Sequence, residues 1–337
     1  MSEMTTAEPI EKEFSVEGRG TKGQARRLLD RFISLGAVIV LFAVFSITAR
    51  NFFTMRSILS LALQTSTITL MGIGVTCTII TGGIDLAIGS VVAFSGTIAV
   101  IAARAGLPIW LSMLIGLLTG VVTGLLNGLM ITRLKLPPFI ATLGMMMLVR
   151  GVALTITNAN AWPAPETFGE LGNGTIFGLG PQFPGIPYPV LIMIAVALVF
   201  TFILSKTRLG RYTYAIGSNQ EAARLSGIKV DQVKIVNYVF CGLLSALVGI
   251  ILASRMATSQ PNSASGYELN AIAAAIIGGT SFSGGVGTVG GTVIGSFIIG
   301  ILTVGLTMAG ANYFMQQIVI GLVVIGAVTV DQLRGRK

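Results

Sequence analysis

Long apolar stretches alternate with short polar breaks along almost the whole chain. Ten of them read as helices: Phe32–Thr48, Ile58–Ile80, Val91–Ala103, Leu107–Thr132, Phe139–Thr157, Tyr188–Ser205, Ile235–Ser254, Leu269–Ile277, Gly287–Met308 and Phe314–Val330. Crossing a bilayer takes about 20 apolar residues. The eighth stretch is too short to cross alone, and is expected to work with the glycine-rich segment after it. Two breaks exceed a simple turn. Residues 158–187 carry Pro163, Pro165, Pro181, Pro184 and Pro187, and residues 206–234 are strongly basic. Loops longer than packing requires read as functional.

Composition agrees with this pattern. Hydrophobic residues make up 53% of the 337-residue chain and charged residues 10%, against about 25% charged in a soluble domain. The fold class is therefore an all-α polytopic membrane protein of about ten transmembrane helices, some broken or re-entrant. Residues 1–31 form a polar tail and residues 32–337 one membrane domain. The tail has no apolar core of a secretory signal. Placing the tail and the 206–234 loop in the cytoplasm puts seventeen of the 22 Lys and Arg inside. This satisfies the positive-inside rule with both termini cytoplasmic. The 158–187 loop then lies outside.

Histidine is absent, which removes imidazole proton relays, Ser–His nucleophiles and imidazole metal ligands. Cys77 and Cys241 both fall in apolar blocks and read as small buried hydrophobes. No Walker A pattern occurs, so no P-loop ATP site is expected. The net charge of +9 is explained by the membrane flanks without nucleic acid.

One acid stands out. Asp85, in Thr81-Gly82-Gly83-Ile84-Asp85-Leu86-Ala87-Ile88-Gly89-Ser90, is the only one between Asp30 and Glu166. A carboxylate at the centre of a membrane helix costs about 2.5–3.5 kcal/mol on insertion scales. Gly82, Gly83 and Gly89 let the chain leave helical geometry there, which membrane-buried backbone tolerates only inside protein or beside a cavity. The segment reads as a transport pathway or gate, or else as a tight internal turn. Arg150, the only basic residue well inside a span, either pairs with Asp85 or snorkels to the outer surface. Glu268 sits at the start of a short helix, where an acid favours the helix dipole. Asn127 is placed to bond a solute's hydroxyls or a neighbouring helix.

Gly116, Gly120, Gly124 and Gly128 recur every fourth residue and make a smooth face for close helix packing. Residues 119–130 resemble 290–302, where Gly290, Gly291, Gly295 and Gly300 fall. In this topology the two segments run oppositely, as in an inverted repeat. The Gly278–Gly287 cluster reads as a helix-breaking linker. In the basic loop, Ser218 and Glu221 have the spacing of a capping box. Ala222, Ala223, Arg224 and Leu225 favour helix, and Gly227 suits the stop. So short a helix must dock on something.

Taken together, these motifs resemble the permease subunits of bacterial ABC importers for monosaccharides, of the ribose/galactose/xylose type. The likeness covers about 58–331. It rests on TGGIDLAIGS at 81–90, LLNGLMI at 125–131, PPFIATLG at 137–144 with Arg150-Gly151, AIGSNQEAARLSGI at 215–228 and GYELNAIAAAIIGGTSFSGGVGTVGG at 266–291. The resemblance implies a homodimeric pore in the bacterial inner membrane. It implies a separate ATPase subunit, which binds ATP and magnesium and grips Ser218, Asn219, Glu221, Ala222, Ala223, Arg224 and Gly227. It also implies a separate sugar-binding protein at the outer face, and no catalysis or cofactor in this chain. Gly82, Gly83, Asp85, Gly89, Asn127, Arg150 and Glu268 are then the candidate pathway or gate residues. This chain has Asn270 where such permeases usually carry an acid. Competing readings are an ABC permease for another small solute, such as a furanosyl signal molecule or a branched-chain amino acid, and an ion-coupled secondary transporter.

Overall fold

The computed structural model describes residues 35–178, 180 and 185–335; the polar tail 1–31 lies outside them. Each of the ten apolar stretches contains a helix: α1 (Leu35–Thr48), α2 (Met55–Ile80), α3 (Ile88–Arg104), α4 (Ile109–Thr132), α5 (Pro138–Thr157), α7 (Tyr188–Lys206), α10 (Val230–Met256), α11 (Tyr267–Ile277), α12 (Val289–Met308) and α13 (Tyr313–Gly335). The short helix α6 (Glu170–Asn173) lies in the 158–187 loop. Helices α8 (Arg208–Ser218) and α9 (Gln220–Leu225) occupy the basic loop. Among the described residues, α2, α4, α5, α7, α10 and α12 are long and apolar enough to cross a membrane; α1, α3, α11 and the apolar part of α13 are shorter.

α2 and α10 form the centre. Residues 65–80 of α2 are buried without interruption, and α10 packs on α2, α3 and α4. Fully buried Leu70, Met71, Val75, Val248 and Ile251 fill the space between them. The two helices run antiparallel, because α2 ends against Gly217 near the end of α8, and α10 starts just after α9. The packing then repeats under one exchange. Swapping α2 with α10, α3 with α11, α4 with α12 and α5 with α13 maps α10·α4 onto α2·α12, α10·α3 onto α2·α11, and α3·α5 onto α11·α13. This is the inverted repeat suggested by the 119–130 and 290–302 segments.

Glycine sets the closest approaches. A methyl at Gly120 would strike the Gly242 carbonyl, and one at Gly124 the Tyr238 carbonyl, so α4 seats backbone to backbone on α10. The far side of α4 leaves Trp110, Leu114, Leu118 and Val122 exposed, as a lipid-facing side requires. At one end of the bundle, β1 (Trp162–Pro163) in the long loop pairs antiparallel with β4 (Thr258–Ser259) after α10. Beside it, β2 (Thr175–Ile176) and β3 (Ile186–Pro187) form a hairpin. At the opposite end lie α8, α9 and the 278–288 linker, which is non-helical as expected.

Candidate functional site

The break after α2 is built from its sequence. Gly82 takes φ +76°, a left-handed value that glycine adopts freely. Its N–H reaches the Ile79 carbonyl at 2.8 Å, and the Gly83 N–H reaches Thr78 at 3.0 Å. This paired arrangement is a Schellman stop. Gly83 is glycine for another reason: a side chain there would enter the Tyr238 hydroxyl. Thus α2 ends sharply, and the chain turns inside the protein.

Asp85 then faces inward, 2% exposed. Its Oδ1 accepts from the Ala87 N–H at 2.9 Å, an Asx turn that sets the carboxylate against the positive end of α3. The Asn127 amide, from the glycine face of α4, reaches both carboxylate oxygens at 3.4 Å. The Cys241 thiol lies beside the carboxylate, and the Tyr238 hydroxyl donates to the neighbouring Ile84 carbonyl at 3.2 Å. One acid therefore gathers α3, α4 and α10. Asn127 bonds this carboxylate and not an open cavity, so in this conformation it ties helices together.

Arg150 does not pair with Asp85. Its Nη1 donates to the carbonyls of Pro261 and Ser263 at 2.7 and 2.8 Å, and the side chain is half-buried. The reason is topological. Arg150 lies near the end of α5, beside the break after α10, whereas Asp85 lies at the break after α2. Glu268 does not simply cap a helix. Its Oε1 accepts from the Gly266 N–H at 3.2 Å, while its other oxygen lies where a methyl on Gly89 would sit. The two breaks thus meet along a seam, α3's first turn against α11's first turn, and Gly89 is what lets them touch.

At the other end, α9 is six residues long and capped by Asn219, whose Oδ1 accepts from the Ala222 N–H at 2.9 Å. The expected Ser218–Glu221 capping box does not form. Ser218 is the last residue of α8 and bonds the Tyr214 carbonyl, which leaves the cap to Asn219. Glu221 instead pairs with Arg224 at 3.7 Å on the exposed side. Gly227, at φ +81°, provides the stop. Ala223 faces inward onto Ile216, Val230 and Val233. Ala222, one position away, is exposed.

The α8–α9 unit touches the break directly. A side chain on Gly217 would strike the Ile80 carbonyl and the Gly285 backbone. The Gly285 N–H donates to that same Ile80 carbonyl at 2.9 Å, and the Tyr214 hydroxyl donates to Gly287 at 2.7 Å. α8, which carries α9 at its C-terminal end, thus contacts Ile80, five residues from Asp85.

Known proteins show where this geometry belongs. A family model described as "Branched-chain amino acid transport system / permease component" matches residues 57–328. The ribose import permease protein RbsC of Escherichia coli (strain K12) is 42% identical over 300 residues, 88% of this chain and 92% of that protein. RbsC of Bacillus subtilis (strain 168) is 42% identical over 88% of this chain and 90% of its own length. The L-arabinose transport system permease protein AraH of E. coli (strain K12) is 37% identical over 91% and 92%. The chain belongs to this permease family. It is a multi-pass membrane transport subunit and not an enzyme.

Sequence reading of this permease missed three residues. Tyr238 and Cys241 complete the Asp85 knot; their one signal was the polar Asn237-Tyr238 pair at the start of an apolar block. Leu225 is 88% exposed at the tip of α9. It read only as a helix former, because burial is not visible in a six-residue pattern.

Proposed function

We propose that this permease is the membrane-spanning subunit of an ATP-driven importer in the bacterial inner membrane, passing a ribose-like monosaccharide to the cytoplasm by alternating access. A second copy completes the pore, a separate ATPase holds ATP and magnesium, and a sugar-binding protein delivers substrate. The observation that carries this reading is the α8–α9 unit. A short capped helix exposes Leu225, Glu221 and Arg224 to a partner and packs on α8 and the start of α10, while α8 bears on the end of α2. Such a unit converts an external push into movement at the Asp85 break. Both termini and α8–α9 lie in the cytoplasm in this scheme, and the 158–187 loop faces the binding protein.

Co-purification with a co-expressed ABC ATPase subunit tests the reading. Wild type should retain the ATPase, whereas Leu225→Asp and Glu221→Arg should each release it while the permease stays folded. No retention by folded wild type would mean a stand-alone transporter, with Asp85 the first place to seek ion coupling. Uptake competition among ribose, arabinose and branched-chain amino acids assigns the solute.

A further inference from the structure

A groove of about 800 Å³ opens at the α8–α9 end, between residues 131–138, α9 and the start of α10. Its lining carries Arg133, Lys135, Arg224, Lys229 and Lys234 against Glu221 and Asp231. Arg224 is paired with Glu221, and Lys234 is bonded to Gln220 at 2.6 Å with Asp231 near. Arg133, Lys135 and Lys229 are exposed, and among the described residues they form no salt bridge. The floor is apolar, with Ile131, Leu136 and Ile228. This combination fits an acidic segment with apolar residues between its acids.

The chain contains such a segment. Residues 3–17 hold Glu3, Glu8, Glu11, Glu13 and Glu17 against the single Lys12, with Ile10 and Phe14 between them. It approaches from the groove side of the bundle. The short 49–54 connection turns the chain back from α1 into α2; α1 rises about 21 Å and α2 about 39 Å, so Leu35 lies partway along α2, in the direction of the end where α2 finishes and the groove opens. The seventeen residues 18–34 can span about 60 Å when extended. We propose that the acidic segment Glu3–Glu17 docks in this groove and shields α9 from the ATPase. The docking follows from charge and reach; the shielding rests on the function proposed above.

The test uses the full chain with the photo-crosslinker p-benzoylphenylalanine in place of Phe14. Adducts are expected on residues 131–138 and 228–234 of either copy. They should disappear in the Arg133→Glu/Lys135→Glu/Lys229→Glu variant, and in about 1 M salt, where the screening length falls to about 3 Å. Adducts on phospholipid or elsewhere in the protein, or adducts indifferent to charge reversal, would overturn the docking. Deleting residues 1–31 should then tighten ATPase binding. A tail docked about nine-tenths of the time lowers apparent affinity about tenfold. Unchanged affinity would overturn the shielding. If neither form binds the ATPase, the importer reading fails, and the crosslinks still decide the docking.

Discussion

The breaks after α2 and after α10 occupy equivalent places in the inverted repeat, yet they are fastened in opposite ways. The first, residues 81–87, puts glycine at its left-handed position and fixes itself through the side chain of a buried acid. The second, residues 257–266, places Ala257 and Ala264 in left-handed backbone, at φ 49° and 57°, where an L residue pays about 1–2 kcal/mol. It is held from outside by Arg150 on its carbonyls and by the β1–β4 pairing. The first keeps its left-handed turn on glycine and is fastened among buried groups of α3, α4 and α10. The second puts two alanines, besides Gly266, in left-handed backbone and is fastened by groups some of which are exposed. A segment whose clasp lies nearer water opens at lower cost than one whose opening strands a buried carboxylate.

The comparison breaks first at Asp85. Asp85→Ala leaves the Ala87 N–H and the Asn127 amide buried without their acceptor, at about 1–3 kcal/mol each. The expected loss is about 3 kcal/mol, read by denaturant unfolding in micelles, with Asp85→Asn losing less than half of that. A larger loss from any change at the second break would reverse the contrast. Gly89→Ala drives a methyl into the seam against Glu268 and the Ala264 carbonyl. Overpacking of this kind costs about 2 kcal/mol, and uptake should fall more than stability; equal uptake with wild type would show that the seam does not close tightly. Arg150→Ala removes two charge-assisted bonds from a half-buried site and should cost about 1.5 kcal/mol. Its signature is local: amide exchange should rise across 257–266 and stay unchanged across 81–87. Ala257→Gly should stabilise by about 1 kcal/mol, by relieving one left-handed alanine; a destabilised variant would show that no strain is stored there.

Much of this was legible from residues alone. Each apolar run contains a helix, six of them long enough to cross a membrane, since a hydrocarbon surround demands internally bonded backbone. Gly82 and Gly227 were readable as stops because left-handed backbone selects glycine. The capping box was misread because Ser218 and Asn219 are both good caps, and only the end of α8 decides between them. The Arg150–Asp85 pairing was misjudged because opposite charges in a membrane invite a match, while backbone carbonyls freed by a broken helix compete as acceptors.

By itself the sequence determined the membrane character, most of the helices and the places where they break. These are local properties of composition and period, set by the cost of placing polar groups in hydrocarbon. Only the tertiary structure decided which break each charged side chain serves, that Tyr238 and Cys241 close around Asp85, and that α8 abuts Ile80. Those contacts join residues tens to hundreds of positions apart. They depend on how glycine faces let backbones approach, a geometry no local pattern records.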